Sequence, residues 1–236
     1  MLHIEAIRHQ RGIGNDSFTL QIPRLIVDRG ETVAVTGASG SGKSTLLEII
    51  GLILKPDEAA GYGLGPAENR QDIAALWRRN QSERLAKIRA VSLGFVVQSG
   101  GLLPYLTVLE NIVISRRLLG LPAPGRLVEK VCKILGLEKL LNRKPAQLSI
   151  GERQRAAIAR ALAHEPMLLL ADEPTAALDP IHAGRVLALL LELACRFDLT
   201  SIIVTHDWSR VRELGLREIQ ASCTAEKFGT ASTFQG

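Results

Sequence analysis

Short apolar runs alternate with longer stretches of helical spacing along most of the chain, the pattern of an α/β architecture. Ser17–Ile22 alternates roughly and predicts an early strand. Glu31–Thr36 (ETVAVT), β-branched and bounded by Gly30 and Gly37, predicts a buried one. Lys43–Ile53 follows with apolar residues at Leu46, Leu47, Ile49 and Ile50, the spacing of one helical face. Pro56–Pro66 is rich in Gly, Pro and Ala and predicts a loop, and Gln71–Ala90 predicts a charged helix leading into the strand Leu93–Val97. A mostly helical block runs from Thr107 to Ala163, broken at Pro122–Gly125 and near Pro145, with its last helix extending over Glu152–His164. A strand over Met167–Ala171, a helix over Ile181–Phe197 and a buried strand over Thr200–Thr205 (TSIIVT) complete the pattern. A helical block lying between two stretches of alternating strands and helices predicts a sub-domain inserted into an α/β core.

Composition narrows this picture. The 236 residues suffice for one large domain with a sizeable core, and 46% apolar with 22% charged residues is ordinary for a globular chain. Aromatics are only 4%, which argues against base-stacking platforms for single-stranded nucleic acid. The most apolar stretches, Leu46–Leu54 and Val186–Cys195, are short and interrupted by Glu48 and Glu192. A bilayer span needs roughly 20 apolar residues, so neither is expected to cross a membrane. The start, MLHIEAIRHQ, lacks the apolar run of a signal peptide. Cys132, Cys195 and Cys223 are widely spaced and odd in number, so they are expected to be small buried hydrophobes of a reducing compartment. The net charge of +5 suits a protein near an anionic surface, though most such excesses are solvated.

Gly37–Thr45 reads GASGSGKST and contains G-x-x-x-x-G-K-S, with a predicted strand before it and a predicted helix after it. Small residues let backbone N–H groups turn inward around phosphate oxygens, and the helix start adds its positive end. Gly37, Ala38, Ser39, Gly40, Ser41 and Gly42 are thus the candidate phosphate cradle. Lys43 would place a charge on the β- and γ-phosphates, Ser44 a hydroxyl on Mg²⁺, and Thr45 a bond to the α-phosphate. A second apolar strand ends in two carboxylates, MLLLADE: Asp172 as a candidate Mg²⁺ ligand and Glu173 as the group beside an attacking water. Phosphoryl transfer needs positioning and charge neutralisation more than covalent chemistry, which suits such a pair.

Four further segments follow in a fixed order: Gln98 after GFVV, LSIGERQ at Leu148–Gln154 followed by RAAIARAL, Ala177–Leu178–Asp179 after Glu173, and His206 closing TSIIVT. With GASGSGKST and LLLADE, the chain resembles the ATP-binding cassette subunit of an ABC transporter from Met1 to about Gly215. VVQSGGLLPYLTVLENI, ARAL and DEPTAALD look most like the lipoprotein-releasing, macrolide-exporter and cell-division-associated branch. The resemblance implies an α/β P-loop NTPase: an ABC-type ATPase core with a parallel sheet, an antiparallel β sub-sheet and an inserted helical sub-domain. The chain would be a single domain over 1–236, its core at about 1–97 and 166–236 and its helical sub-domain at about 98–165.

The same resemblance implies two cassettes, identical or paralogous, paired head to tail around two ATP molecules. Each ATP would meet Ser149 and Gly151 of the opposite subunit, at the start of a helix that can receive a γ-phosphate. Gln98 would contact Mg²⁺ and the water, Asp179 would bridge the subunits, and His206 would bond the γ-phosphate and steady Glu173. The expected function is ATP hydrolysis coupled to an integral membrane permease, with the cassette lying peripherally on the cytoplasmic face of the inner membrane and no nucleic-acid partner. The segment from Gln98 to about Glu110, with Leu102, Leu103, Leu106 and Val108, is expected to touch that permease. The alternative is a soluble cassette ATPase of DNA repair or translation, which expects long coiled-coil insertions or tandem cassettes. A small-molecule kinase leaves LSIGERQ and His206 unexplained.

Three features depart from the family pattern. Ile150 and Glu152 stand where LSGGQ has glycine and glutamine, and Glu152 adds negative charge beside a polyanion. The zone expected to hold an adenine-stacking aromatic reads Gly12, Ile13, Gly14, Asn15, leaving His9, Arg11 or Phe18 as substitutes. The end, Ala221–Gly236, is short, so no regulatory domain is expected after it. Arg153, Arg155 and Arg160, at helical spacing, are expected to form a solvated or salt-bridged face rather than phosphate ligands.

Overall fold

The computed structural model describes residues 1–12, 17–226 and 229–236. The chain forms two compact units, Met1–Arg89 with Val204–Gly236, and Ala90–Ile203.

The first unit opens with a long antiparallel pair, β1 (Leu2–Arg11) and β2 (Phe18–Val27), in register from Leu2 opposite Val27 to Arg11 opposite Phe18. Ile4 and Ile7 on β1 and Leu20, Ile22 and Leu25 on β2 are fully or almost fully buried. Next come β3 (Thr32–Thr36) and α1 (Lys43–Ile50), whose Leu46, Leu47, Ile49 and Ile50 are buried as their spacing predicts. The segment expected to be a loop is instead a strand, β4 (Glu58–Leu64), paired with the far edge of β1. Its composition disfavours a strand, but β1 offers it a partner ladder and Tyr62 anchors it. Tyr62 is 2% exposed, donates its hydroxyl to Ile50 O at 2.7 Å, and packs edge-on against Trp77 at 5.2 Å between centroids. Burial with no charged partner pushes its phenol pKa up. The two-residue β5 (Gln71–Asp72) closes this edge.

The single charged helix expected over Gln71–Ala90 is two helices, α2 (Ile73–Arg78) and α3 (Ser82–Ser92). The break is at Asn80, in the left-handed region at φ 51, a conformation asparagine tolerates at helix ends.

In the second unit, β6 (Leu93–Val96) pairs in parallel with β7 (Leu168–Asp172), and β8 (Thr200–Val204) follows in the order β6-β7-β8. The helical block resolves into α4 (Val108–Leu118), α5 (Arg126–Ile134) and α6 (Ile150–Leu162), and α7 (Pro180–Arg196) follows β7. Ile112, Val128, Val131, Leu135, Ile158 and Leu169 belong to its continuous core. α4 begins with a reciprocal cap: Glu110 N donates to Thr107 Oγ1 at 3.2 Å and Thr107 N to Glu110 Oε2 at 2.8 Å. Back in the first unit, α8 (Trp208–Glu213) leads to β9 (Arg217–Gln220), parallel to β3, and to the hairpin β10 (Ser222–Glu226) and β11 (Gly229–Thr233). β11 runs parallel to β2, so the mixed sheet reads β10-β11-β2-β1-β4-β5.

Of the three cysteines only Cys132 is buried, its thiol pushed up to about 11 by burial; Cys195 and Cys223 are exposed, against expectation. Among the described residues no helix is long and apolar enough to cross a membrane.

Candidate nucleotide site

In the first unit the Gly37–Thr45 loop leaves the end of β3 and runs straight into α1. Two glycines are there for space. A Cβ on Gly37 would lie 2.7 Å from Ala221 Cβ, and one on Gly42 would lie 2.5 Å from Phe18 Cζ. Gly42 also sits at φ 83, where an L side chain is strained. α1 has no side-chain cap and no acidic residue in its first turn, so its first N–H groups are left to an outside acceptor. Lys43 is 5% exposed and donates to Gly37 O at 2.9 Å and Ala38 O at 2.8 Å, which bends the loop round its ammonium. Ser41 Oγ is buried without a hydrogen-bond partner, Thr45 is buried, and Ser44 is exposed. A buried cation, an unsatisfied hydroxyl and an uncapped helix start make a pocket chemically suited to a polyphosphate.

His206 belongs to this unit and follows Thr205, whose N–H donates to Val35 O at 3.1 Å. The exposed imidazole therefore starts from the same end of β3 as the loop. Of the candidates for base recognition, Arg11 lies opposite Phe18 and His9 opposite Leu20, which places all four on one face of the β1–β2 pair. Phe18 and Leu20 abut Gly42. Arg11 is exposed, whereas His9 is buried and its ring nitrogens make no hydrogen bond; Asp57 stands 3.4 Å from Nδ1. Ile13, Gly14 and Asn15 lie outside the described residues.

The second unit carries the remaining candidates. Asp172 ends β7, and Glu173 follows at φ 45, an uncommon backbone region for a carboxylate residue. Gln98 Nε2 donates to Glu173 Oε2 at 3.4 Å, so the sequence-distant glutamine and glutamate meet. Val108 is completely buried, so it belongs to the core rather than to an outward-facing apolar segment, while Tyr105 is 68% exposed.

Ser149, Gly151 and Asp179 line one cleft of about 740 Å³ between the starts of α6 and α7, with Ile150, Glu152 and His182. Ser149 caps α6: Glu152 N donates to its Oγ at 3.2 Å, and its own N–H donates to Glu152 Oε2 at 2.7 Å. That backbone bond holds the Glu152 carboxyl below the usual range. Ile150 points outward, 48% exposed. Asp179 caps α7 by accepting from the N–H groups of Ile181 and His182 at 3.1 and 3.2 Å, and its other oxygen is 2.6 Å from His182 Nδ1. These His182 bonds hold its carboxyl below the usual range.

The chain matches the ABC transporter family over residues 20–176. The chain belongs to that family. It is 44% identical over 186 residues to the lipoprotein-releasing system ATP-binding protein LolD of Legionella pneumophila strain Lens, spanning 78% of each chain. The LolD of Nitrobacter hamburgensis is 39% identical over 88% of this chain and 87% of its own. The macrolide export ATP-binding/permease protein MacB of Vibrio parahaemolyticus is 38% identical over 88% of this chain but only 31% of its own length. Among solved structures, the dimeric bacterial ABC transporter cassette MJ0796 superposes with a TM-score of 0.78 at 35% identity over 93% of this chain and 94% of that one. The same cassette in a post-hydrolysis dimer bound to ADP and Pi gives 0.75 at 34% identity, with the same coverage. The fold is thus the α/β P-loop fold of ABC ATPases. The chain is an ATP-hydrolysing cassette of the ABC transporter family.

The arginines of α6 depart from expectation. None forms a solvated fringe: Arg153 donates to Leu148 O at 2.7 Å, Arg155 to Leu135 O at 2.8 Å, and Arg160 to the carbonyls of Gly100 and Gly101. Asn111, also missed, is completely buried and ties the loop at Leu103 and Leu106 to α4. Its i, i+4 bond back to Thr107 O was a local signal, whereas the partners of Arg155 and Arg160 lie too far away in sequence to be seen.

Proposed function

We propose that this cassette binds Mg·ATP on the Gly37–Thr45 loop and hydrolyses it at Glu173, as the peripheral ATPase of a permease of the lipoprotein-releasing type on the inner face of the membrane. The observation that carries the reading is the first unit's loop, with Lys43 buried, Ser41 Oγ unsatisfied and α1 uncapped. Backbone N–H groups of Gly37–Gly42 hold the phosphates, Lys43 neutralises them, and Thr45 bonds the α-phosphate. Ser44 of the first unit, and Asp172 and Gln98 of the second, each carry a hard oxygen donor of the kind magnesium prefers, and the ion would neutralise phosphate charge. Glu173 orients the attacking water, Gln98 holds that carboxylate in place, and His206 bonds the γ-phosphate.

The Ser149–Gly151 turn and Asp179 line a cleft of the second unit without an assigned occupant in the chain itself. We assign this cleft to the nucleotide of a second cassette, in line with the dimeric relatives. The 44% identity to a lipoprotein-releasing ATP-binding protein supports the permease type. Glu173→Gln tests the reading: it retains ATP affinity, slows hydrolysis by roughly 10²-fold or more, the scale for losing one positioned group, and accumulates as an ATP-bound dimer in sedimentation. Turnover at the wild-type rate would move the water-positioning role away from Glu173.

A further inference from the structure

The Arg160 side chain spans from α6 to the turn that follows β6. Its Nη1 donates to Gly101 O at 2.6 Å and its Nη2 to Gly100 O at 2.9 Å. The turn is closed from its other side by Gly100 N donating to Val97 O at 2.9 Å. Both carbonyls face one guanidinium because Gly100 and Gly101 are at φ 73 and 57, a backbone course that side chains resist. There is no room for slack: a Cβ on Gly101 would lie 2.9 Å from Val97 Cγ2 and 3.4 Å from Arg160 Nη2. Gln154, six residues earlier on α6, also abuts Gly100 through its Oε1, while its buried Nε2 makes no hydrogen bond. The charge of Arg160 is spent on two backbone dipoles in a half-buried site. Two residues ahead of Gly100, Gln98 reaches Glu173 Oε2 across 3.4 Å, the long end of a hydrogen bond. A rotation of the Val97–Gly101 turn breaks that contact first.

We infer that Arg160 is a positioning residue for ATP hydrolysis: by clamping the Gly100 and Gly101 carbonyls it aims the Gln98 amide at Glu173. The inference rests on the catalytic reading of Gln98 and Glu173 above. The anchor is α6, which begins at Ser149 and Gly151, so the glutamine's aim is set from that helix rather than by the loop alone. The two carbonyls are held by two separate nitrogens of one rigid fork, and a lysine ammonium at this position ends one atom short of them, so it keeps the charge without the paired bonds.

The test is a kinetic cycle on the full chain, with kcat and KM for ATP measured for wild type, Arg160→Lys, Gln98→Ala and the double variant at one saturating protein concentration, and melting temperature as a check on folding. Arg160→Lys is expected to lower kcat about tenfold, within the range of mutations that act through a neighbour, while KM changes less than about twofold. Gln98→Ala lowers kcat by itself, and adding Arg160→Lys to it changes kcat less than about twofold, because no amide remains to be aimed. An undiminished Arg160→Lys effect in the Gln98→Ala background overturns the proposal and leaves the catalytic reading of Gln98 standing. Gln98→Ala with wild-type kcat overturns both. Arg160→Met, which keeps the stem and loses both bonds, repeats the cycle if Arg160→Lys melts early, with the same outcomes deciding.

Discussion

Replacing Gly94 by alanine puts a methyl group where β6 meets the end of α6. A Cβ there would lie 2.4 Å from Ala161 O and 3.0 Å from Pro166 Cγ. Carbon meets carbonyl oxygen at about 3.3–3.6 Å, so the methyl is roughly 1 Å too close. Neither neighbour yields cheaply. Ala161 O is helix backbone, and the adjacent chain is pinned by His164 Nε2 donating to Leu93 O at 3.0 Å and Met167 N donating to Ser92 O at 2.9 Å. Overpacking of this kind costs about 1–3 kcal/mol, and the entropy lost by glycine on folding returns about 0.5–1 kcal/mol when alanine replaces it. A clash with helix backbone sits in the upper half of that overpacking range, so the net expectation is a destabilisation of about 1–2 kcal/mol, a fall in melting temperature of roughly 2–8 °C for a chain of this size. Gly61→Ala is the control, since its Cβ would meet Glu5 Cβ at 3.4 Å, an ordinary contact, and the variant should melt at or above wild type. Thermal unfolding followed by circular dichroism reads both. A Gly94→Ala chain as stable as wild type, or one matched by Gly61→Ala, would refute the close approach of β6 to α6.

Two further outcomes follow from the site. Lys43→Ala removes the buried ammonium that Gly37 O and Ala38 O hold, so titration with labelled ATP should find tight binding abolished; wild-type affinity would sink the loop assignment. Specific ATPase activity should rise with protein concentration, and Glu152→Gln should shift that curve to lower concentrations by removing a negative charge from the cleft of Ser149, whereas an unmoved curve refutes the charge argument. The same substitution has a pH signature. The Ser149 N–H lowers the folded Glu152 pKa, so its stabilising contribution is complete above the ordinary glutamate value of about 4.3 and is lost as pH falls through the folded one. Melting curves of wild type and Glu152→Gln should therefore converge in acid, and a constant gap would rule the bond out.

What the sequence determined by itself is whatever depends on local chemistry. GASGSGKST announces a phosphate loop because tight backbone turns need glycine wherever they occur; the caps Thr107-x-x-Glu110 and Ser149-x-x-Glu152 close over three residues and are equally local, although helical spacing alone starts the last helix at Glu152, two residues late. The order of six such segments was enough to name the family. Tertiary structure decided what depends on partners far along the chain. Glu58–Leu64 is a strand because β1 offers it an edge, although its glycines and alanines carry no strand signal. Arg155 and Arg160 of α6 bind carbonyls 20, 59 and 60 residues away, and periodicity shows only that they share helical spacing, not what faces them. Gln98 and Glu173 are 75 residues apart, and their 3.4 Å contact exists because β6 and β7 pair in parallel register and end side by side. A side chain's type limits the bonds it can make, but the fold alone brings the acceptor within reach.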